Sequence, residues 1–119
     1  MFKVVQIGEN EIPLLSNGAT PFRYKQLFGG DLMKEFNLIN ETEDEAVATN
    51  MIAKLAFVMN QAAEKADMNR LNEDMFFAWL ERFESLDLSK AGKEIMGCYI
   101  GQIASKSKAK NQASQRKGK

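Results

Sequence analysis

The chain has 119 residues and a formal net charge of zero, and 45% of its residues are hydrophobic and 27% charged, which is typical of a water-soluble domain with one core. No apolar run approaches the roughly 18 residues that a membrane-spanning helix needs, and the N-terminus lacks the pattern of a secretion signal, so we expect a cytoplasmic protein. The lack of histidine and the single cysteine exclude the usual zinc sites and the Ser-His-Asp and Cys-His catalytic groups. Carboxylate chemistry stays open in principle, but no spacing singles out a pair of acids, and we predict a protein without catalytic activity, metal or cofactor.

The N-terminal residues predict a β-hairpin. Lys3–Ile7 and Glu11–Leu15 are short β-prone runs, and Gly8-Glu9-Asn10 between them is a turn sequence. Pro13 lacks a backbone N–H, which places the second strand at an edge. Because an isolated two-stranded ribbon is marginal in water, we expect the hairpin to pack on helices.

Two short helices are predicted next. Thr20 followed by Pro21 is typical of a helix N-cap and first turn, and the pair Gly29-Gly30 is typical of a helix end. Asp31 is the predicted cap of the second short helix, Leu32–Ile39. Both helices carry apolar residues at helical spacing, so each is expected to bury one face.

The longest predicted helix covers about Glu43–Ala66. Thr42 is followed three residues later by Glu45, the form of a capping box, which makes this start the clearest boundary in the sequence. A wide apolar face indicates a central core helix. The main apolar positions are Val47, Met51, Leu55, Val58 and Ala62.

The stretch Asn72–Leu88 holds the only tryptophan and a dense group of aromatic side chains, and it predicts an amphipathic helix capped by Asn72. Its apolar residues recur at spacings of three and four, which places most of them on one face. Such a face either forms the centre of a small core or binds a partner, and burial in the core is its commoner use. The residues are Phe76, Phe77, Trp79, Leu80 and Phe83.

The C-terminal part combines a predicted helix with a basic tail. The helix is expected to begin at Asp87 or Ser89 and to end at about Ser105. Residues 106–119 include six basic and no acidic residues, whereas residues 1–105 carry ten basic and sixteen acidic ones, a formal charge of −6. Because the tail has no large apolar or aromatic residue, we expect it to be flexible.

These elements together predict a mainly α fold, a compact bundle of about four to five helices with a small N-terminal β-hairpin. No internal repeat or interdomain linker is found, so we assign residues 1–105 to a single helical domain and residues 106–119 to a flexible tail. The lone thiol, Cys98, lies in an apolar run and is expected to be buried.

The basic tail favours one alternative function, salt-sensitive binding to nucleic acid. Two features count against it. The tail has no interleaved aromatic residues to stack on bases, and the acidic domain would repel a phosphate backbone. A solvated terminus, or one that contacts an acidic protein, is the other interpretation.

The order of these pieces supports a family resemblance. A short hairpin, VVQIGENEIPLL, is followed by an aromatic and basic helix that ends at a glycine pair, TPFRYKQLFGGDLMKEF. After a long helix comes an acidic and aromatic segment, EDMFFAWLERFESLDL, and then a final helix. Over about Val4–Ile103, this arrangement resembles the tail assembly chaperones of long-tailed, non-contractile bacteriophages, the siphoviruses.

The resemblance implies a non-catalytic protein of the host cell cytoplasm. Such chaperones bind the long tape measure protein that sets tail length, keep it soluble, help recruit the major tail protein and are absent from the finished virion. The family often has a second, longer product made by ribosomal frameshifting, and KSKAKNQASQRKGK is where such a shift is expected in this chain. The basic tail itself matches no pattern of the family.

We predict that a helical client, or another copy of this chain, contacts one of two aromatic faces. One face belongs to the aromatic helix and the other to the first short helix. A helical structural subunit of a larger assembly, with no chaperone role, is the remaining alternative. The predicted partner-binding residues are Phe22, Tyr24, Phe28, Phe76, Trp79, Leu80 and Phe83.

Overall fold

A computed structural model describes residues 1–41 and 45–101 and, within these ranges, every side chain outside residues 39–47. This part of the chain contains six α-helices and one antiparallel hairpin, so the prediction of a mainly α fold with a small N-terminal β-hairpin is confirmed. The elements in chain order are β1 (Phe2–Ile7), β2 (Asn10–Leu15), α1 (Thr20–Phe28), α2 (Leu32–Glu41), α3 (Glu45–Ala63), a 3₁₀ turn (Met68–Arg70), α4 (Glu73–Leu80), α5 (Ser85–Lys90) and α6 (residues 92–101).

The hairpin packs one face against the helices. Its strands pair with Val5 opposite Ile12, and a tight turn joins them in which Gly8 has a φ of 62°, a left-handed value that favours glycine. The side chains of Val5, Ile12 and Leu14 are buried, and β2 lies along α3. The predicted hairpin is therefore confirmed, with each strand one residue longer at its start.

Local capping signals explain several helix ends. Asp31 Oδ1 accepts the backbone N–H groups of Met33 and Lys34 at 3.0 and 3.2 Å, as the sequence predicts for a cap. Gly29 ends α1 with a φ of 78° and donates its N–H to the Lys25 carbonyl. The N-cap position of α1, however, is Ala19 and not Thr20, and the Thr20 hydroxyl accepts the N–H of Asn17.

Helix α3 forms the centre of the core. Leu55, Phe57, Val58 and Met59 are at most 1% exposed. The helix ends at Ala63, three residues earlier than predicted, and the chain then turns through Lys65 at a φ of 58°. The predicted capping box at its start depends on Thr42, which lies outside the described residues.

The aromatic segment is not a single helix, which corrects the prediction of one helix over Asn72–Leu88. The expected cap is present, since Asn72 Oδ1 accepts the Met75 N–H at 2.9 Å. The helix stops at Leu80, where the Phe83 N–H turns back to the Leu80 carbonyl at 3.0 Å, and Glu84 is extended before α5 begins. The turn folds Phe83 back onto Trp79, with 4.9 Å between ring centroids.

The last helix begins at residue 92, later than predicted, because α5 occupies residues up to Lys90. The Ser16 hydroxyl at the end of the hairpin donates to the Cys98 carbonyl of α6 at 2.9 Å, and the Cys98 thiol is fully buried as expected. The assigned tail, residues 106–119, lies outside the described residues, as does the end of the assigned domain beyond residue 101.

Candidate protein-binding groove

An open groove of about 760 Å³ runs between α3 and the α4–α5 segment. One wall is α4, whose lining residues 73, 76, 77 and 80 lie on one helical face because they are three, four and seven positions apart. The floor on α3 includes the small residues Thr49 and Ala53, whose short side chains leave the space unfilled. The large apolar side chains of the lining are Phe28, Phe76, Phe77, Leu80, Phe83 and Leu88.

A second lobe of about 630 Å³ continues the groove between α3, α5 and α6. Thr49 and Leu88 line both lobes, so the two spaces adjoin. Ile52, Met96 and Ile100 make this second lobe aliphatic, where the first is aromatic. The result is one apolar groove with an aromatic and an aliphatic half.

A chain of packed rings forms the back of the aromatic lobe. Phe28 lies 5.0 Å from Phe76, Phe76 lies 5.5 Å from Phe57, and each pair meets edge to face. Phe57 in turn lies 5.6 Å from Trp79. Edge-to-face pairs of this kind contribute about 0.5–1.5 kcal/mol beyond their buried area, so the wall is expected to be rigid.

A buried amide fixes α4 in place. The indole N–H of Trp79 donates to Asn60 Oδ1 at 3.1 Å, and Asn60 Nδ2 donates to the Pro13 carbonyl at 3.0 Å. Asn60 is 1% exposed. One side chain therefore links α4, α3 and the outer edge of the hairpin and satisfies two polar groups that burial would otherwise leave unpaired.

No family model, curated protein or solved structure matches the chain. Its function is therefore inferred from the groove and from the sequence. Across residues 1–41 and 45–101, no helix is long and apolar enough to cross a membrane, and no three potential metal ligands cluster together.

The structure separates the predicted residues of the aromatic helix. Phe76, Leu80 and Phe83 line the aromatic lobe, with Leu80 and Phe83 half-buried. Trp79 is 4% exposed and is hydrogen-bonded to Asn60. Its side chain therefore stabilises the domain and offers little surface to a partner.

The predicted residues of α1 are also divided. Phe28 lines the aromatic lobe, whereas Tyr24 is fully buried and Phe22 is 74% exposed but outside both lobes. Because they are buried, Tyr24 and Trp79 offer a partner little surface, and their contact with one stays a prediction. The two predicted faces adjoin, because the Phe28 ring of one lies 5.0 Å from the Phe76 ring of the other.

Phe77 is absent from the predicted partner-binding residues, yet it is the most accessible ring of the groove. It lines the aromatic lobe and is 56% exposed. Its spacing of three to Leu80 is a signal that could have identified it. The sequence does not distinguish it from Phe76, which is next to it and faces the core.

The charged residues of the groove are unevenly placed. The Lys54 ammonium of α3 stands 5.4 Å above the Phe28 ring centroid, and Lys93 of α6 lies at the second lobe. Glu73 lines the α4 wall. Among the described residues, the ion pair found within 4 Å joins Arg70 to Asp67 and involves neither lysine.

A buried phenol beside the site leads to a prediction for alkaline pH. Burial, and after it the adjacent Glu35 carboxylate, raises the pKa of Tyr24 well above its usual range. Within the described residues, neither the Tyr24 hydroxyl nor Glu35 Oε2 has a hydrogen-bond partner. Above about pH 10, the unfolded phenol loses its proton while the folded one keeps it, so the stability falls as the pH rises, by at most about 1.4 kcal/mol per pH unit for one group.

We expect Tyr24→Phe to make this alkaline decline shallower, because position 24 then carries no phenol to ionise in the unfolded chain. Urea unfolding of both proteins between about pH 8 and pH 11 measures how steeply the free energy of unfolding falls with pH. Burial and Asp31 also raise the pKa of Tyr99, so part of the decline should remain in the variant. Equal slopes for the two proteins would contradict the prediction.

Proposed function

We propose that this protein is a tail assembly chaperone of a long-tailed bacteriophage, without catalytic activity. In this proposal it binds the tape measure protein in the host cytoplasm, helps recruit the major tail protein and does not remain in the mature virion. The observation that carries the proposal is the open groove with its accessible ring at Phe77. The resemblance in the order of the sequence elements supplies the identity of the client.

The groove has the chemistry that a holding chaperone needs. An apolar surface of aromatic, leucine and methionine side chains accepts helices of different sequence, because packing of such side chains depends little on exact pairing. When the apolar surface of the client is buried in the groove, that surface is no longer available for aggregation. The charge of −6 carried by residues 1–105 favours solubility of the complex.

Co-expression with the tape measure protein tests the proposal. We expect the tape measure protein to be insoluble when expressed alone and to be recovered in the soluble fraction, bound to this chain, when both are made. A tape measure protein that stays insoluble at equal expression of this chain would contradict the proposal.

Two further experiments test the alternatives, a structural subunit and a nucleic-acid-binding protein. A structural subunit would be found in assembled tails by mass spectrometry, whereas the chaperone is expected to be absent from them. Binding through the basic tail would be seen as retention on DNA or RNA that is lost when the six basic residues of 106–119 are replaced by glutamine.

A further inference from the structure

The walls of the groove restrict the conformation of whatever binds it. The groove is bounded by helices, α3 and α4, whose backbone groups are largely paired within the helices or with the residues that cap them. An extended segment in the groove would find no backbone partners there, and burying its N–H and C=O groups unpaired would cost free energy. A helix satisfies its own backbone and contributes only side chains. The occupant that this geometry favours is therefore an α-helix.

The charges of the groove add a second restriction. Lys54 is half-buried at the aromatic lobe with its ammonium over the Phe28 ring, and no carboxylate among the described residues lies within 4 Å of it. A helix that covers this lobe removes more water from Lys54, which is unfavourable unless an acidic residue compensates the charge. Lys93, which lines the aliphatic lobe, is exposed, so a bound helix would desolvate it less than Lys54.

The opposite wall has the opposite sign. Glu73 lines the groove at the start of α4. A basic residue on the flank that faces α4 is therefore tolerated, whereas an acidic residue there would meet a like charge. The two flanks of the bound helix are thus distinguished by charge, which fixes its orientation about its own axis.

We infer that the groove binds an amphipathic α-helix whose apolar face packs on Phe77, Leu80 and Phe83 and whose acidic flank faces Lys54. The inference rests on the proposed function for the identity of the client, and it specifies which of the client's helices bind. Helices with an apolar stripe and glutamate or aspartate on one adjacent flank are selected over those with lysine there. The chain's own residues 106–119 are poor occupants, because they include no large apolar side chain.

Two synthetic helices of about 20 residues, long enough to span about 30 Å, test the inference with the full chain. Both carry the same leucine stripe and a fluorescent label, but one has glutamate and the other lysine along the same flank. We expect the glutamate peptide to bind more tightly in fluorescence anisotropy, by about three- to fivefold. The preference should shrink in about 1 M salt, where charges are screened within a few ångströms.

Two substitutions assign the preference to the groove. Lys54→Gln should reduce the preference for the glutamate peptide by about three- to fivefold and leave the fold intact, since the side chain is only half-buried. Thr49→Phe places a ring at the junction of the two lobes and should weaken both peptides at least tenfold. Ala78→Phe is the matched control, because Ala78 is exposed on α4 outside the groove, and it should bind as the wild type does.

Several results would overturn the inference. These are equal or tighter binding of the lysine peptide, a preference that Lys54→Gln does not change, and displacement of the glutamate peptide by a synthetic peptide of residues 106–119. A dimer in analytical ultracentrifugation that Thr49→Phe dissociates, with no peptide binding, would assign the groove to a second copy of the chain. If the peptides behave as expected but the tape measure protein stays insoluble, the proposed function fails and this inference stands.

Discussion

Replacing Trp79 by alanine is expected to destabilise the domain by about 3–5 kcal/mol, the usual cost of removing a buried tryptophan. The side chain is 4% exposed and packs edge to face on Phe57 and Phe83. Its N–H also donates to the buried Asn60 amide. Because small domains are stable by only about 5–15 kcal/mol, this loss would remove a large fraction of the total stability.

Urea unfolding followed by far-ultraviolet circular dichroism measures this loss, since the variant has no tryptophan to report by fluorescence. Asn60→Ala should cost about 2–4 kcal/mol, because it leaves both the Trp79 N–H and the Pro13 carbonyl unpaired. Asn50→Ala is the control, with an expected change within about 0.5 kcal/mol, because Asn50 is an exposed asparagine on the same helix. A loss below about 1 kcal/mol for Trp79→Ala would show that Trp79 is not part of the core.

Phe77→Ser is expected to have the opposite effect: the domain stays folded, but it no longer binds the tape measure protein. The ring is 56% exposed, so its removal should change the unfolding free energy by about 0.5 kcal/mol or less. In the groove, however, a central aromatic side chain is expected to contribute about 2 kcal/mol or more to binding, as aromatic hot spots do. The soluble fraction of co-expressed tape measure protein should fall sharply.

Phe22→Ser provides the matched control for this experiment. Phe22 is a second exposed phenylalanine, at 74%, on α1 and outside both lobes of the groove. We expect this variant to keep the tape measure protein as soluble as the wild type does. If Phe22→Ser removed the activity and Phe77→Ser did not, the binding surface would lie on α1 and the groove would have another role.

Signals that act within a few residues could be predicted from the sequence. Asp31, Asn72 and Gly29 end or begin helices where expected, because a cap depends on hydrogen bonds between near neighbours. The hairpin was predictable for the same reason, since Gly8 supplies the left-handed turn and alternating residues supply the buried face. Thr20 is an exception. It is the predicted N-cap of α1, but its hydroxyl accepts the N–H of Asn17.

Features that depend on distant contacts could not be predicted. The helical pattern runs past Leu80 without a break in sequence, and the chain turns there with Phe83 packed on Trp79. The pattern also gives Phe76, Phe77 and Trp79 the same apolar character. Which of them faces the core depends on where α3 packs against α4. The position of α3 cannot be predicted from the spacing of apolar residues alone.

The groove itself is a product of tertiary packing. Its volume arises because small residues of α3, such as Thr49 and Ala53, lie opposite the aromatic wall of α4. The sequence shows small residues and aromatic residues about 25 positions apart, but not that they face each other. The partner-binding prediction was therefore able to name rings that line the groove, such as Phe28 and Phe83, and could not exclude the buried ring of Tyr24.

Site-specific photocrosslinking tests most directly whether the client lies in the groove. A photoreactive phenylalanine analogue at position 77 should crosslink to the co-expressed tape measure protein on irradiation, and mass spectrometry should place the adducts in segments predicted to form amphipathic helices. The same analogue at position 22, which is at least as exposed, should give little crosslinked product. Crosslinking at position 22 with none at position 77 would contradict binding in the groove.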